Sequence, residues 1–399
     1  MNLFNLRRNP PSLDDLVTSP WQSSPRDNLS SECLMPSVER PQQIFVRGQG
    51  SWLWDSEDRA YLDFIQGAAA NTLGHSPSAL VKAMTAQAQA LINPGAGFYN
   101  RGLLNLAERL CHSTGSDQAY LLGSDSEARD AAIQLARKWG RLHRGGAARV
   151  IRVGQDYAPA FNDLPALHAD VDAQTVAIVL EPLQSTPQVE AASEHYLKGV
   201  ERLCRELGIL LILDETHTGM GRCGTLLAEQ AYGVLADIVI LGQGLGGGVP
   251  LAALLARGQA CCFEVGEVGE QHHGNALTMA AGLAVLNSVL DNGFLAHVRE
   301  SGHYLGEGLA RLANRYAQKQ VQGCGLLWSV QLADDSADAV VKAARYEGLL
   351  LKACAPDSLS FTPALTVSKG NIDEMLLRLA RAFARVRTAQ LQCRKGIAV

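Results

Sequence analysis

Asp214 and Glu215 close the most apolar run of the chain, residues 209–213, so a carboxylate stands at the end of a buried segment. A buried carboxylate needs a cation or several donors. Asp214 is therefore a helix cap, half of an ion pair with Arg222, or the holder of a cationic ligand. Gly123-Ser124-Asp125-Ser126 is a turn and cap ahead of a helical stretch, where backbone N–H groups collect anions. Residues 241–248 form a glycine-rich turn with one polar side chain, Gln243, whose amide nitrogen is not nucleophilic. His217, Glu270, His272 and His273 add titratable groups near these turns. Their spacing matches no metal-ligand pattern, so no metal is expected, and acid–base work is the chemistry left to them.

The elements that must position these residues alternate along the chain. Strands are expected at 119–122, 176–180, 209–213, 238–241 and 251–255, and helices at 127–140, 194–207 and 276–290. This alternation predicts an α/β fold with a mainly parallel sheet covered on both faces, and ligands at the carboxyl ends of its strands. Short strands at 44–46, 52–55 and 60–64 come first, then helices at 78–91 and 103–111. After Gly293 a long helix (295–317), a strand pair around 325–332 and a final helix (371–388) read as a smaller α+β domain. The expected organisation is a flexible arm over 1–42, small-domain strands over 43–75, a large domain over 76–293 and the rest of the small domain over 294–399.

Hydrophobic residues make up 47% and charged residues 19% of the 399-residue chain, enough for a sizeable core. With 35 basic and 40 acidic residues the net charge is -5, which gives no electrostatic case for nucleic acid or an anionic membrane as a partner. The basic cluster Arg137, Lys138, Arg141, His143 and Arg144 reads as a solvated helix end. Nine cysteines, an odd number without zinc spacing, fit reduced thiols in a cytoplasmic protein. Cys223 and the adjacent Cys261 and Cys262 are expected to be packing residues. No apolar stretch approaches transmembrane length, and residues 1–28 lack the apolar core of a secretory signal.

The segment 214–224, with Asp237-Ile238 and 241–250, closely resembles class III aminotransferases, nearest the acetylornithine/succinyldiaminopimelate branch. Further matching motifs are 61–67, Gly74-His75, 91–94, 98–100, 132–138 and Glu181-Pro182-Leu183-Gln184. The resemblance covers nearly the whole chain after about residue 40. It implies the fold-type-I architecture: a large domain with a mainly parallel, seven-stranded type of sheet, and a small α+β domain from N- and C-terminal segments. It also implies a homodimer with active sites at the subunit interface, and pyridoxal phosphate bound to a lysine as a Schiff base, with Asp214 opposite its pyridine nitrogen.

Six departures from the family pattern converge on that cofactor. Gln243 stands where the family has its Schiff-base lysine. Ser124-Asp125-Ser126-Glu127-Ala128 replaces Ser-Gly-Thr-Glu-Ala, so Asp125 puts a carboxylate where the phosphate should bind. At about 4 Å each like-charge pair repels by roughly 4 kcal/mol at an effective dielectric of about 20, although an aspartate there also makes a good helix cap. Gln271 replaces a threonine of the partner subunit's phosphate site, with Glu270 beside it. The ring-stacking aromatic-His-Gly segment has no counterpart: between Val153 and Leu164 the chain lacks about thirty residues, leaving a connection of ordinary length. Ser360 stands in place of the arginine that binds the substrate α-carboxylate. Thr186 replaces a glutamate near the substrate side chain, and His217 replaces the glutamine beside the cofactor's phenolic oxygen.

The expectation is an acetylornithine-aminotransferase-like protein without transaminase activity. It would hold pyridoxal phosphate non-covalently or not at all, and act as a homodimer, or as a partner subunit of an active paralogue, in arginine/ornithine-type metabolism. A small amino-acid-like ligand fits the cleft. The alternatives are a lysine-independent enzyme in the same cleft, using His217, Asp214 or a cysteine, and an active acetylornithine (2-oxoglutarate) transaminase of arginine biosynthesis.

Overall fold

The apolar run that ends at Asp214 becomes a central strand of a six-stranded sheet, in a computed structural model that describes residues 33–35, 37, 40–41, 43–154, 159–185, 187–269 and 273–394. The expected arm over 1–42 lies almost wholly outside the described residues. The chain divides into two units, 1–43 and 44–399, and every named element belongs to the second.

That unit begins with the antiparallel trio β1 (Phe45–Gln49), β2 (Trp52–Asp55) and β3 (Ala60–Asp63). Asp55 shapes the second turn by accepting the N–H groups of Glu57 and Arg59. Helices α1 (Ser78–Ala90) and α2 (Arg101–Thr114) follow. Asn100 caps α2 by accepting the Leu103 N–H, and Gly115 ends it at φ 65°, a conformation that suits glycine.

The alternating region contains β4 (Gln118–Leu122), α3 (Asp125–His143), β5 (Arg149–Arg152), α4 (Leu164–Asp170) and β6 (Thr175–Leu180). A two-residue ladder pairs β7 (Leu183–Gln184) with β8 (Glu190–Ala191), and α5 (Glu194–Leu207) leads into β9 (Leu210–Glu215). Then come α6 (Ala228–Tyr232), β10 (Ile238–Leu241), β11 (Ala252–Ala256) and α7 (Ala276–Leu290). The chain ends with α8 (Phe294–Arg315), β12 (Gln320–Cys324), β13 (Leu327–Gln331), α9 (Ala337–Tyr346), β14 (Leu349–Leu350), β15 (Lys352–Ala355), β16 (Ser358–Phe361) and α10 (Lys369–Arg394).

The central sheet has the order β4-β11-β10-β9-β6-β5, in which only β11 runs against its neighbours. Leu211 and Leu213 of β9 pack in one cluster with α2, α5 and α7, whereas Leu210 and Ile212 pack with the alanine face of α3. The period-2 alternation explains why β9 is apolar from Leu210 to Leu213: both faces are covered. The expected seventh strand is absent among the described residues. Between β5 and α4 the chain runs through 153–163, of which 155–158 lie outside the described residues.

Two smaller four-stranded sheets, β1-β2-β3-β14 and β12-β13-β16-β15, share a separate hydrophobic cluster with α8, α9 and α10. The strand pair expected at 325–332 is a hairpin over 320–331 that turns at Gly325-Leu326. It lies close to α8 because Gly302 and Gly306 lack side chains: a Cβ on Gly302 would meet the Gly325 carbonyl oxygen at 2.1 Å. The basic cluster on α3 is not wholly solvated. Lys138 is buried and pairs with Glu267 at 2.5 Å, and Arg144 donates to the carbonyls of Leu207 and Gly208.

Candidate functional site

Three strand ends deliver the site. After β4, Ser124 takes the N-cap of α3 and accepts the Glu127 N–H at 3.3 Å, while the Glu127 carboxylate accepts the Gly123 N–H at 2.9 Å. The cap is thus Ser124, and Asp125 is free to turn its carboxylate toward β10. There a Cβ on Gly242 would lie 2.7 Å from its Oδ1. Burial raises the Asp125 pKa, against the opposing pull of Arg129, His217 and the Gln243 N–H.

At the end of β9, Asp214 is not paired with Arg222. The Arg222 guanidinium is buried elsewhere and donates to the carbonyls of Leu326, Pro363 and Ala69. Asp214 instead pairs with Arg129, Nε to Oδ2 at 2.5 Å, and its Oδ1 accepts the Thr216 N–H at 3.1 Å. The same guanidinium donates to Thr216 Oγ1 at 2.5 Å. Glu215 points away and caps α6, accepting the N–H groups of Ala228 and Glu229. Burial carries its pKa up to about 7, those N–H groups working against the rise. His217 is held below its ordinary value by burial, with Asp214 pulling it upward.

The glycine-rich turn after β10 begins with a short 3-10 segment, Gln243–Gly246. The Gln243 amide donates to the Ala68 carbonyl at 3.0 Å, and the Gly244 carbonyl accepts the Thr72 hydroxyl at 2.6 Å. The loop it grips holds Gln66, Ala68 and Ala69 at positive φ, an unfavourable conformation for each. Gln243 therefore acts as a latch on a strained loop.

Between α3 and the ends of β5, β6 and β9 lies a cavity of about 300 Å³, lined in part by Arg129, Ile133, Arg152, Glu181, Asp214 and Ile240. Glu181 follows β6 directly. Its Oε2 is buried without a hydrogen-bond partner, and burial, with the Asp214 charge adding to it, raises its pKa to about 8. Its raised pKa favours the protonated carboxyl near neutral pH, with the Arg129 charge opposing the rise.

Asp125, Asp214, His217 and Gln243 thus meet at one cleft. Ser124 and Ser126 stay on its rim, their hydroxyl oxygens 3.2 Å apart. Ser360 is buried on β16, with Ser329 of β13 and Lys352 of β15 opposite it in register. Thr186, Glu270, Gln271 and His272 lie outside the described residues. His273 accepts or donates at 2.7 Å to the Tyr120 hydroxyl and lies 3.6 Å from Glu127. Among the described residues no three His, Cys, Asp or Glu side chains gather as a metal site. Cys261 and Cys262 pack against the α3 cluster, and burial lifts both thiols above their ordinary value. The sequence reading missed Arg129, Arg152, Glu181 and Lys352. A helical signal pointed to the first: Arg129 is four residues after Asp125, hence on the same face of α3. The next two sit at strand ends, where ligands collect.

The sequence model of class-III aminotransferases matches residues 35–158 and 147–383. The two stretches meet where the chain runs short. The chain is 41% identical over 385 residues to acetylornithine aminotransferase 2 of Bordetella pertussis, covering 89% of this chain and 97% of that protein. It is 38% identical over 380 residues to acetylornithine aminotransferase of Ralstonia nicotianae, covering 86% and 95%. Among solved structures, N-acetylornithine aminotransferase from Stenotrophomonas maltophilia superposes with a TM-score of 0.81 at 33% identity, over 88% of this chain and 98% of that one. Ornithine delta-aminotransferase of Plasmodium falciparum gives 0.84 at 26% identity, over 88% and 95%.

Proposed function

The chain belongs to the class-III aminotransferase family, with its fold-type-I architecture, and from that premise we propose an acetylornithine-aminotransferase-like protein that does not transaminate. The observation that carries the reading is Gln243. It follows β10 in the place of the family's Schiff-base lysine, and its amide is committed to the Ala68 carbonyl. An amide nitrogen cannot add to an aldehyde.

The family implies pyridoxal phosphate, a cofactor that supplies an electron sink to amino-acid substrates when bound. The residues present do not fit it. Asp214, which would face its ring nitrogen, is already paired with Arg129, and Asp125 sets a carboxylate at the helix terminus that would take its phosphate. The reading therefore assigns these residues to holding the cleft closed on itself.

The proposed role is that of a partner or stabilising subunit in arginine/ornithine-type metabolism, in the cytoplasm, as a homodimer or paired with a lysine-bearing paralogue. Ile92, Phe98, Tyr99 and Leu104 support a subunit interface: all four are large, apolar and exposed within one short stretch. Residues 43–75 and 294–399 would form the small domain and 76–293 the large one. Among the described residues no single helix is long and apolar enough to cross a membrane. One observation favours a second reading, lysine-independent chemistry: protonated Glu181 beside Arg152 could act as a general acid. The test is direct. Purified protein with pyridoxal phosphate, N-acetylornithine and 2-oxoglutarate should form no glutamate above a protein-free blank, and turnover would overturn the proposal.

A further inference from the structure

We propose that Asp125 and Arg129, one turn apart on α3, are an internal replacement for the cofactor. Their carboxylate and guanidinium occupy the anion-binding and cation-binding halves of the cleft. The inference rests on the reading of the chain as a non-transaminating relative, and deepens it by naming what fills the site.

Pyridoxal phosphate carries a phosphate dianion at one end and a basic ring nitrogen at the other, so its site must offer N–H donors to the first and a carboxylate to the second. In this chain both offers are taken up by its own side chains. At the cationic half, Asp214 Oδ2 holds Arg129 Nε at 2.5 Å and Oδ1 holds the Thr216 N–H at 3.1 Å. The guanidinium is anchored again on Thr216 Oγ1 at 2.5 Å, so it is bound across two residues of the β9 end. At the anionic half, two backbone donors at the start of α3 are satisfied internally, and a carboxylate lies against the glycine-rich turn. The Gly123 N–H goes to the Glu127 carboxylate and the Glu127 N–H to Ser124 Oγ, and the Asp125 Oδ1 lies against Gly242, 2.7 Å from where a Cβ there would stand. A phosphate arriving there would displace bonds already made and would face the charges of Asp125 and Glu127.

The two substitutes share a helix face, being four residues apart. They also make a chemically complete set. Asp214 is buried, and a buried carboxylate without a cation destabilises the fold strongly. A relative that relies on a ligand for that cation is burdened when empty. This chain brings the cation with it, so its folded cleft is independent of the ligand. Restoring the lysine alone should then be insufficient to recover a cofactor site.

The experiment compares the full chain with Q243K, with Q243K/D125G/R129A, and with the milder set Q243K/D125N/R129Q, in which polar side chains of similar size protect folding. Each is incubated with pyridoxal phosphate, reduced with borohydride, and read by intact mass and peptide mapping. Urea midpoints with and without the cofactor are the second readout. The wild type and Q243K should carry little reduced adduct and show no shift in midpoint. At least one triple variant should carry an adduct at position 243 on at least about tenfold more of the chains, as expected when a like charge is removed from an anion site, and should gain stability from the cofactor. Equal loading of Q243K and the triple variants would overturn the replacement while leaving the non-transaminating reading intact. Folded triple variants without adduct would overturn it equally. A stoichiometric adduct on one lysine of the wild type would instead remove the reading on which the inference stands.

Discussion

Glu181→Gln should change how the stability of this protein depends on pH. The Glu181 carboxyl sits at the end of β6, its Oε2 buried without a partner, and its pKa rises from an ordinary 4.5 to about 8. Between those values the folded chain keeps the proton and the unfolded chain releases it. A carboxyl raised in this way makes stability fall as pH rises, the reverse of a salt-bridged aspartate. The slope for one proton is about 1.4 kcal/mol per pH unit. The window from 4.5 to about 8 spans about 3.5 pH units, so the upper limit is about 5 kcal/mol, which partial solvent access reduces to about 3. Glutamine keeps a donor at this position and cannot ionise. Urea unfolding at pH 5, 6, 7 and 8 should therefore show the variant losing less stability than the wild type by about one proton's slope, with the two closest at pH 5. Glu215, raised to about 7, leaves a residual slope in both proteins. Parallel curves for wild type and variant would refute the assignment of a neutral Glu181 at the cavity.

Other perturbations address the frame and the proposed assembly. Arg257→Ala removes the partner of buried Glu229, held at 2.6 Å, and should cost about 3–5 kcal/mol in urea unfolding; a loss below about 1 kcal/mol would contradict the pairing argument. Gly302→Ala places a methyl group 2.1 Å from the Gly325 carbonyl oxygen, and should lower stability by about 2 kcal/mol or more through separation of α8 from the hairpin. A neutral effect there would show that the packing is loose. The double substitution Phe98→Ser and Tyr99→Ser removes two exposed rings from the proposed interface, and sedimentation should report smaller particles than the wild type. An unchanged size would exclude this stretch as the interface.

The large sheet was legible because periodicity and breakers agreed. Residues 209–213 are apolar on both faces and end in acids, and α5 stops at Leu207 as expected, whereas α2 runs past its expected end at Cys111 to Thr114. The strand count was less legible: the family pattern implied seven, and six are seen among the described residues. Asp125 stood out in sequence as a carboxylate in a phosphate-binding motif, and the fold gives the helix cap to Ser124 and sets Asp125 against Gly242. Arg129 was not anticipated, since an arginine on an amphipathic helix resembles any solvated charge until the fold brings it to Asp214. Arg222 shows the converse. It was available to Asp214 by proximity along the chain, and the fold sent it to three backbone carbonyls instead. Lys138 too read as surface charge and lies buried against Glu267.

The most direct test of the central claim is borohydride reduction of the wild-type protein, purified from cells supplied with pyridoxine, followed by intact mass and peptide mapping. The account predicts the mass of the unmodified chain and no phosphopyridoxyl group on any lysine, including Lys352 beside Ser360. A stoichiometric adduct on a lysine would contradict it.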